Sequence, residues 1–274
     1  MKKLITKLKK LFGFYKNKES VFDESTTSIV IAGVENSPKW GSCSGALRDC
    51  DTFKKIVSKA SDNFNIVVLK NEAATVAAWK SAVEKAIQKP LAIIFYSGHG
   101  GSDKTHVLGS GSNEEDGIDE FLCLYDKPLL DDEIWEIISK STGKVFLVFD
   151  CCHSGTMFKS IIFGEDSEQT EIGKFHHIDF SKFFKENLKE KEQQPSQSTD
   201  GFSMLCWSAC ADNTVARGSS FGGIFTNAIE KLFGVGDTYE SLGNKLSSNK
   251  SLNDIEKIQI TEIGESFKKD LFCR

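Results

Sequence analysis

Apolar and polar positions along the chain follow two rhythms in turn. Short β-rich apolar runs occur at 28–34 (SIVIAGV), 65–70 (NIVVLK), 91–97 (LAIIFYS), 144–150 (KVFLVFD), 202–209 (FSMLCWSA) and 255–263 (IEKIQITEI). The third and fourth are continuously apolar, as expected of strands covered on both faces. Between the runs, apolar residues recur at helical intervals. Leu47, Phe53, Ile56 and Val57 do so in 45–60, and Val76, Trp79, Val83 and Ile87 in 75–87, with Pro90 marking the end. Residues 131–141 predict a helix with acids in its first turn, where the macrodipole favours them, and 225–233 predict another. This alternation predicts an α/β fold with a mostly parallel sheet and helices on both faces.

Two stretches break the rhythm. Residues 1–18 hold seven lysines and no acid, with Leu4, Leu8, Leu11 and Phe12 at helical spacing. Two readings stay open for them: a basic amphipathic helix touching an anionic membrane through residues 1–15, or a solvated tail. Residues 164–200, containing ENLKEKEQQPSQSTD, are charged and poor in apolar side chains, which predicts a mobile loop. The chain therefore divides into a basic extension and linker (1–27) and one domain (28–274). The domain has a large portion (28–163), a linker loop (164–201) and a small portion (202–274).

Charge and cysteine usage narrow the setting. The net charge is −5, so without the +7 of the tail the remaining chain carries −12. An acidic body disfavours nucleic acid as a partner and suits a cationic one. No apolar run approaches the ~18 residues of a membrane span. Eight cysteines over 274 residues are too dilute for a disulfide scaffold, and no secretory signal precedes them. Reduced thiols in the cytoplasm, in a protein that is soluble or membrane-associated through its tail, are expected.

Chemistry collects at two strand ends, where open α/β sheets bind ligands. One run ends in SGHGG with His99 between glycines; the other ends in Asp150, Cys151, Cys152 and His153. Side chains alternate along an extended segment, so Asp150 and Cys152 share a face while Cys151 points into the packing. Adjacent residues seldom face each other, which makes His99 a better base for Cys152 than His153. A Cys–His pair of this kind fits acyl transfer through a thiol nucleophile. Zinc is disfavoured because the chain has no Cys-x₂-Cys pair, and a vicinal Cys151–Cys152 disulfide would be strained. An esterase reading fails because Asp150 stands where a nucleophile elbow needs glycine.

The motifs YSGHGG and FDCCHSGT resemble the catalytic signature of caspase-like cysteine peptidases (clan CD, family C14), metacaspases in particular. GALRDCD, WSACADNTVA, GGIFTNAI and IQITEI extend the resemblance over most of 28–274. It implies a caspase-like three-layer sandwich whose central, mostly parallel sheet has six strands and helices on both faces. It implies peptide-bond hydrolysis through a thioester, with Cys152 as nucleophile, His99 as base, and the N–H groups of Gly100 and Cys152 as oxyanion donors. The pocket for the residue before the scissile bond maps to Asp49, Ser97 and Asp150, which implies cleavage after Arg or Lys. Charge agrees independently: a carboxylate on the Cys152 face pairs with a cationic side chain and repels an acidic one. For Asp49 the alternative is an ordinary solvated acid in the first turn of a helix.

The resemblance also bears on metals, processing and assembly. A family calcium site maps to Asp119, Asp131 and Asp132, a chemically suitable set of hard oxygens. A fourth family ligand, however, is replaced here by Lys159, so the resemblance supports a weak calcium site no better than a simple helix-capping role for Asp131 and Asp132. The chemistry itself requires no cofactor. The loop 164–200 carries Lys174, Lys182, Lys185, Lys189 and Lys191, all targets for self-cleavage by a basic-specific enzyme. The expected partners are protein or peptide substrates, and the expected state is a monomer. The competing functional class is a caspase-like scaffold or regulatory protein with little turnover.

Overall fold

A computed structural model describes residues 26–59, 64–103, 119–153, 202–209, 218–234, 236–253, 258–264, 267–270 and 272. The basic extension, the loop 164–201 and its lysines lie outside the described residues.

The central sheet runs β12-β9-β8-β5-β1-β4. Its strands are β1 (Thr27–Gly33), β4 (Asn65–Lys70), β5 (Leu91–Asp103), β8 (Lys144–His153), β9 (Ser203–Ser208) and β12 (Gln259–Ile263). All neighbours pair in parallel except β12, which is antiparallel to β9. These are the six apolar runs of the sequence. Parallel pairing requires crossovers, and the helices that provide them bury both faces.

The helices fall on two sides. Against one face pack α2 (Val76–Ala86) and α3 (Asp131–Ile138), where Trp79, Val83, Ile134 and Ile138 meet Ile94, Tyr96, Leu147 and Phe149. Against the other pack α1 (Ala46–Ser58), α4 (Ile224–Leu232) and α5 (Tyr239–Ser247), where Phe53, Ile229 and Leu242 meet Phe95, Phe146 and Trp207. A short α6 (Lys250–Asn253) follows α5. Phe146 packs edge-on to Trp207 and to Tyr239, each at 4.9 Å between ring centroids. Truncating an aromatic so enclosed costs about 3–5 kcal/mol.

The alternation within β8 is as expected: Phe149 and Cys151 belong to one core, Phe146 and Val148 to the other. Cys151 is buried, and Asp150 takes the opposite face.

Three features differ from the sequence expectation. First, β5 does not end at His99 nor β8 at Asp150. They remain paired through His99↔Cys152 and Gly100↔His153. The apolar pattern stops where the flanking helices stop covering the sheet, whereas backbone pairing continues. Second, β6 (Asp119–Cys123) and β7 (Pro128–Leu130) form an antiparallel annex on the extension of β5. Third, α5 was not anticipated. Its apolar face is sparse, and Thr238 and Ser241 cap its start reciprocally, at 3.0 and 2.9 Å.

A small hairpin, β2 (Asn36–Ser37) with β3 (Gly41–Ser42), leans on the annex. Trp40 Nε1 donates to the Leu124 carbonyl at 2.5 Å, and Ser37 Oγ to the Tyr125 carbonyl at 3.0 Å. Among the described residues no helix is long and apolar enough to cross a membrane.

Candidate active site

The carboxyl ends of β1, β5 and β8 converge beneath the start of α1. Helix α1 begins after Gly45 and brings Asp49 in its first turn to the exits of the strands. Asp49 is only 3% exposed and Asp150 2%. Asp49 is thus not the solvated first-turn acid that the sequence also allowed.

Every hydrogen bond found on the two carboxylates comes from a neutral donor. Ser97 Oγ donates to Asp49 Oδ2 at 2.8 Å. The Gly223 N–H donates to Asp49 Oδ1 at 2.7 Å. Thr226 donates twice to Asp150 Oδ2, from its N–H at 3.1 Å and from Oγ1 at 2.6 Å. Ser97 is also the register partner of Asp150 across β5 and β8. Among the described residues no Lys or Arg forms an ion pair with either acid.

Two buried carboxylates without a cation resist ionising together. Burial, and then the charge of Asp150, push Asp49 up to about 7. Burial also raises Asp150, opposed by the two Thr226 hydrogen bonds. The two acids thus form a buried acidic cluster with no ion-pair partner among the described residues.

The pair is covered by a hairpin, β10 (Gly218–Ser219) with β11 (Gly222–Gly223), and by the first turn of α4. Gly222 has φ 95°, and a Cβ there would lie 2.5 Å from Asp49 Oδ1. A Cβ on Gly223 would overlap the Asp150 carboxylate. Glycine is required at both positions for the chain to come so close. Beside them Phe221 stands 70% exposed at the rim, its carbonyl held by Asn227 Nδ2 at 3.0 Å.

His99 is 7% exposed, and its Nε2 lies 3.1 Å from the Ser42 carbonyl. A carbonyl only accepts, so Nε2 carries the hydrogen in this contact and the basic lone pair of the neutral ring is on Nδ1. The Cys152 side chain lies outside the described part of the structure. The Cys152 backbone is in register with His99, and that of His153 with Gly100.

The structure therefore brings Asp49, Ser97, His99, Gly100, Asp150 and the Cys152 backbone to one end of the sheet. Sequence reasoning missed Gly222, Gly223 and Thr226 as parts of this site. The available signal was GGIFTNAI, a stretch matched to the family without an assigned role.

Of the calcium set, Asp131 and Asp132 open α3. Asp131 is 1% exposed, and its Oδ1 accepts the N–H of Asp132, which is itself exposed. Among the described residues no three His, Cys, Asp or Glu side chains stand together to hold a metal. The Asp119 side chain and Lys159 lie outside the described part.

A family model described as the caspase domain matches residues 28–272. This chain belongs to the caspase-domain family. Curated relatives include Metacaspase-1 of Saccharomyces cerevisiae, 32% identical over 109 residues, which are 37% of this chain and 24% of that protein. Metacaspase-1 of Candida glabrata is 31% identical over 109 residues, 37% of this chain and 27% of that one. The chain thus spans about a quarter of the length of these relatives. The fold recurs in the crystal structure of protein GSU0716 from Geobacter sulfurreducens, with TM-score 0.62 and 22% identity, covering 90% of this chain and 96% of that one. The caspase domain is the fold of a cysteine peptidase family. Its three-layer α/β architecture is the one described above.

Proposed function

We propose that this caspase domain is a cysteine endopeptidase that cleaves peptide bonds after Arg or Lys. The observation that carries the reading is the buried Asp49–Asp150 pair, hydrogen-bonded only by neutral groups and set beside the His99–Cys152 register. A cationic substrate side chain supplies the charge that this pocket lacks. An acidic side chain would add a third negative group in a low-dielectric site.

The chemistry follows from the positions. The sequence alternation assigns Cys152 to the face of Asp150. His99 Nδ1 takes the Cys152 thiol proton while Sγ attacks the scissile carbonyl carbon, and the oxygen becomes an oxyanion held by the N–H groups of Gly100 and Cys152. Collapse breaks the C–N bond, and the proton on Nδ1 goes to the leaving amine. Water, deprotonated by His99, then hydrolyses the thioester and restores the thiol. The same specificity makes the lysines of 164–200 self-cleavage sites, which yield lysine-terminated fragments by mass spectrometry for active protein and none for Cys152→Ala.

The deciding experiment uses fluorogenic peptides with Arg, Lys or Asp before the bond. Cleavage of the first two, abolished in Cys152→Ala and retained in Cys151→Ala, is the expected result. Cleavage after Asp would overturn the pocket assignment. No cleavage of any peptide would leave the scaffold reading in its place.

A further inference from the structure

We infer that the Tyr96 hydroxyl is a positioning group for catalysis: it fixes the plane of the His99–Gly100 peptide and so aims the Gly100 N–H at the developing oxyanion. The inference rests on the reading of Gly100 as an oxyanion donor.

The geometry is specific. Tyr96 is fully buried in the core beneath β5. Its hydroxyl lies 2.8 Å from the His99 carbonyl oxygen and 2.8 Å from that of Cys123. The His99 carbonyl and the Gly100 N–H belong to one planar trans peptide and point in opposite directions. Pinning the oxygen on the Tyr96 side therefore turns the N–H away from it. A backbone donor has no rotamer of its own, so its aim is set by the peptide plane alone.

The chain also runs directly over the hydroxyl. A Cβ at Gly98 would sit 2.5 Å from Tyr96 Oη. Burial holds the phenol well above its ordinary pKa, so it stays a donor.

The single hydroxyl hydrogen is shared between the two carbonyls, which makes the hydroxyl a junction. Cys123 ends β6, and the next two carbonyls, of Leu124 and Tyr125, take the Trp40 and Ser37 donors of the β2–β3 hairpin. The same hairpin offers the Ser42 carbonyl to His99 Nε2. His99 is thus held at its ring and at its carbonyl by one circuit that closes through residues 123–125. The ring contact sets the tautomer, and the Tyr96 contact sets the peptide plane. These are separable functions.

The test separates them in Tyr96→Phe, which keeps the ring and removes only the hydroxyl. Three quantities are read per Cys152 alkylated, so unfolded protein does not enter: kcat and KM on an Arg peptide, affinity for a reversible Arg peptide aldehyde, and the rate and pH profile of Cys152 alkylation by iodoacetamide. In the aldehyde adduct an S–C bond forms at the carbonyl carbon and its oxygen becomes the oxyanion. Alkylation reports thiolate formation and needs no oxyanion donor. A lost oxyanion donor costs about 10²–10³-fold, and a misaimed one less. The expected result is a fall of roughly tenfold or more in kcat and in aldehyde affinity. KM stays within about twofold, and alkylation and its pH profile are unchanged. Incorporating 4-aminophenylalanine at position 96, which restores a donor for each carbonyl, recovers both losses.

Unchanged aldehyde affinity in Tyr96→Phe would overturn the inference. A parallel loss of alkylation would also overturn it, since that marks general loosening. Wild-type protein that neither cleaves after Arg nor binds the aldehyde would sink the peptidase reading and this inference together.

Discussion

Two acidic pairs in this caspase domain look alike in composition and behave oppositely. Asp131 and Asp132 are neighbours in the chain, and one accepts the backbone N–H of the other at the first turn of α3. Asp132 faces water. Asp131 is buried beside it, and both stand in a first turn, where the helix dipole favours acids. Asp49 and Asp150 stand a hundred residues apart in sequence and are pressed together by the meeting of α1 with the exits of β5 and β8. They are enclosed by Ser97, Gly223 and Thr226, with no ion-pair partner among the described residues. Charge density along a sequence is therefore a poor guide to charge concentration in space. A functional acid is recognised by what encloses it.

The comparison breaks most visibly by neutralising one member of each pair. Asp150→Asn keeps the shape and removes the charge. It is expected to lower kcat/KM on Arg peptides by about 100-fold or more, the loss of one partner of a buried charge pair. An equal loss in Asp132→Asn would erase the distinction. Removing a single donor should cost less. Thr226→Val deletes the 2.6 Å bond to Asp150 and keeps the backbone N–H. A roughly tenfold rise in KM and about 1–2 kcal/mol of lost stability are expected, read from kinetics and denaturant titration.

The Asp49–Asp150 pair also responds to acid. Asp49 is raised from 3.8 to about 7 by burial and then by the charge of Asp150, and Asp150 is raised by burial. Protonation below pH 7 removes the charge that binds the substrate. KM for Arg peptides should rise several-fold from pH 8 to pH 6, and flatten in Asp49→Asn. Stability runs the other way. A group whose folded pKa lies above its unfolded value contributes stability fully below the unfolded value, and loses it as pH rises through the folded one. Between about pH 4 and 7 the contribution of Asp49 therefore falls as pH rises. Wild-type protein, compared with Asp49→Asn by thermal melting, should gain a few degrees on going from pH 8 to pH 5. The smallest effect belongs to the exposed acid: Asp132→Asn should shift stability by no more than about 0.5–1 kcal/mol, the size of a first-turn dipole contact.

The parts of the molecule legible in its sequence are those with a period. The six runs became the six strands of the main path; the central β5 and β8 are plainest, because a strand covered on both faces leaves no polar gap in its sequence. Asp150 and Cys151 could be assigned opposite faces because pleating alternates strictly. The contacts that make the pocket have no period. Gly223 reaches Asp49 across 174 positions, and Thr226 reaches Asp150 across 76. Nothing in GGIFTNAI announces which acid each residue serves. The annex β6–β7 was hidden for another reason: its strands are short, and they pair with a stretch of β5 whose own sequence, GHGGSD, carries no apolar alternation.

The glycine hairpin over the acidic pair has a mechanical consequence. Asp49, Ser97 and Asp150 come before the long segment 154–201, while Gly223 and Thr226 come after it. The two halves are also stitched by the parallel ladder from Lys144↔Ser203 to Phe149↔Ser208. A cut anywhere in 154–201 breaks one peptide bond and none of these contacts. The severed molecule should run as two bands when boiled in detergent, yet elute as one particle of unchanged size under native conditions, with its pocket assembled from two chains.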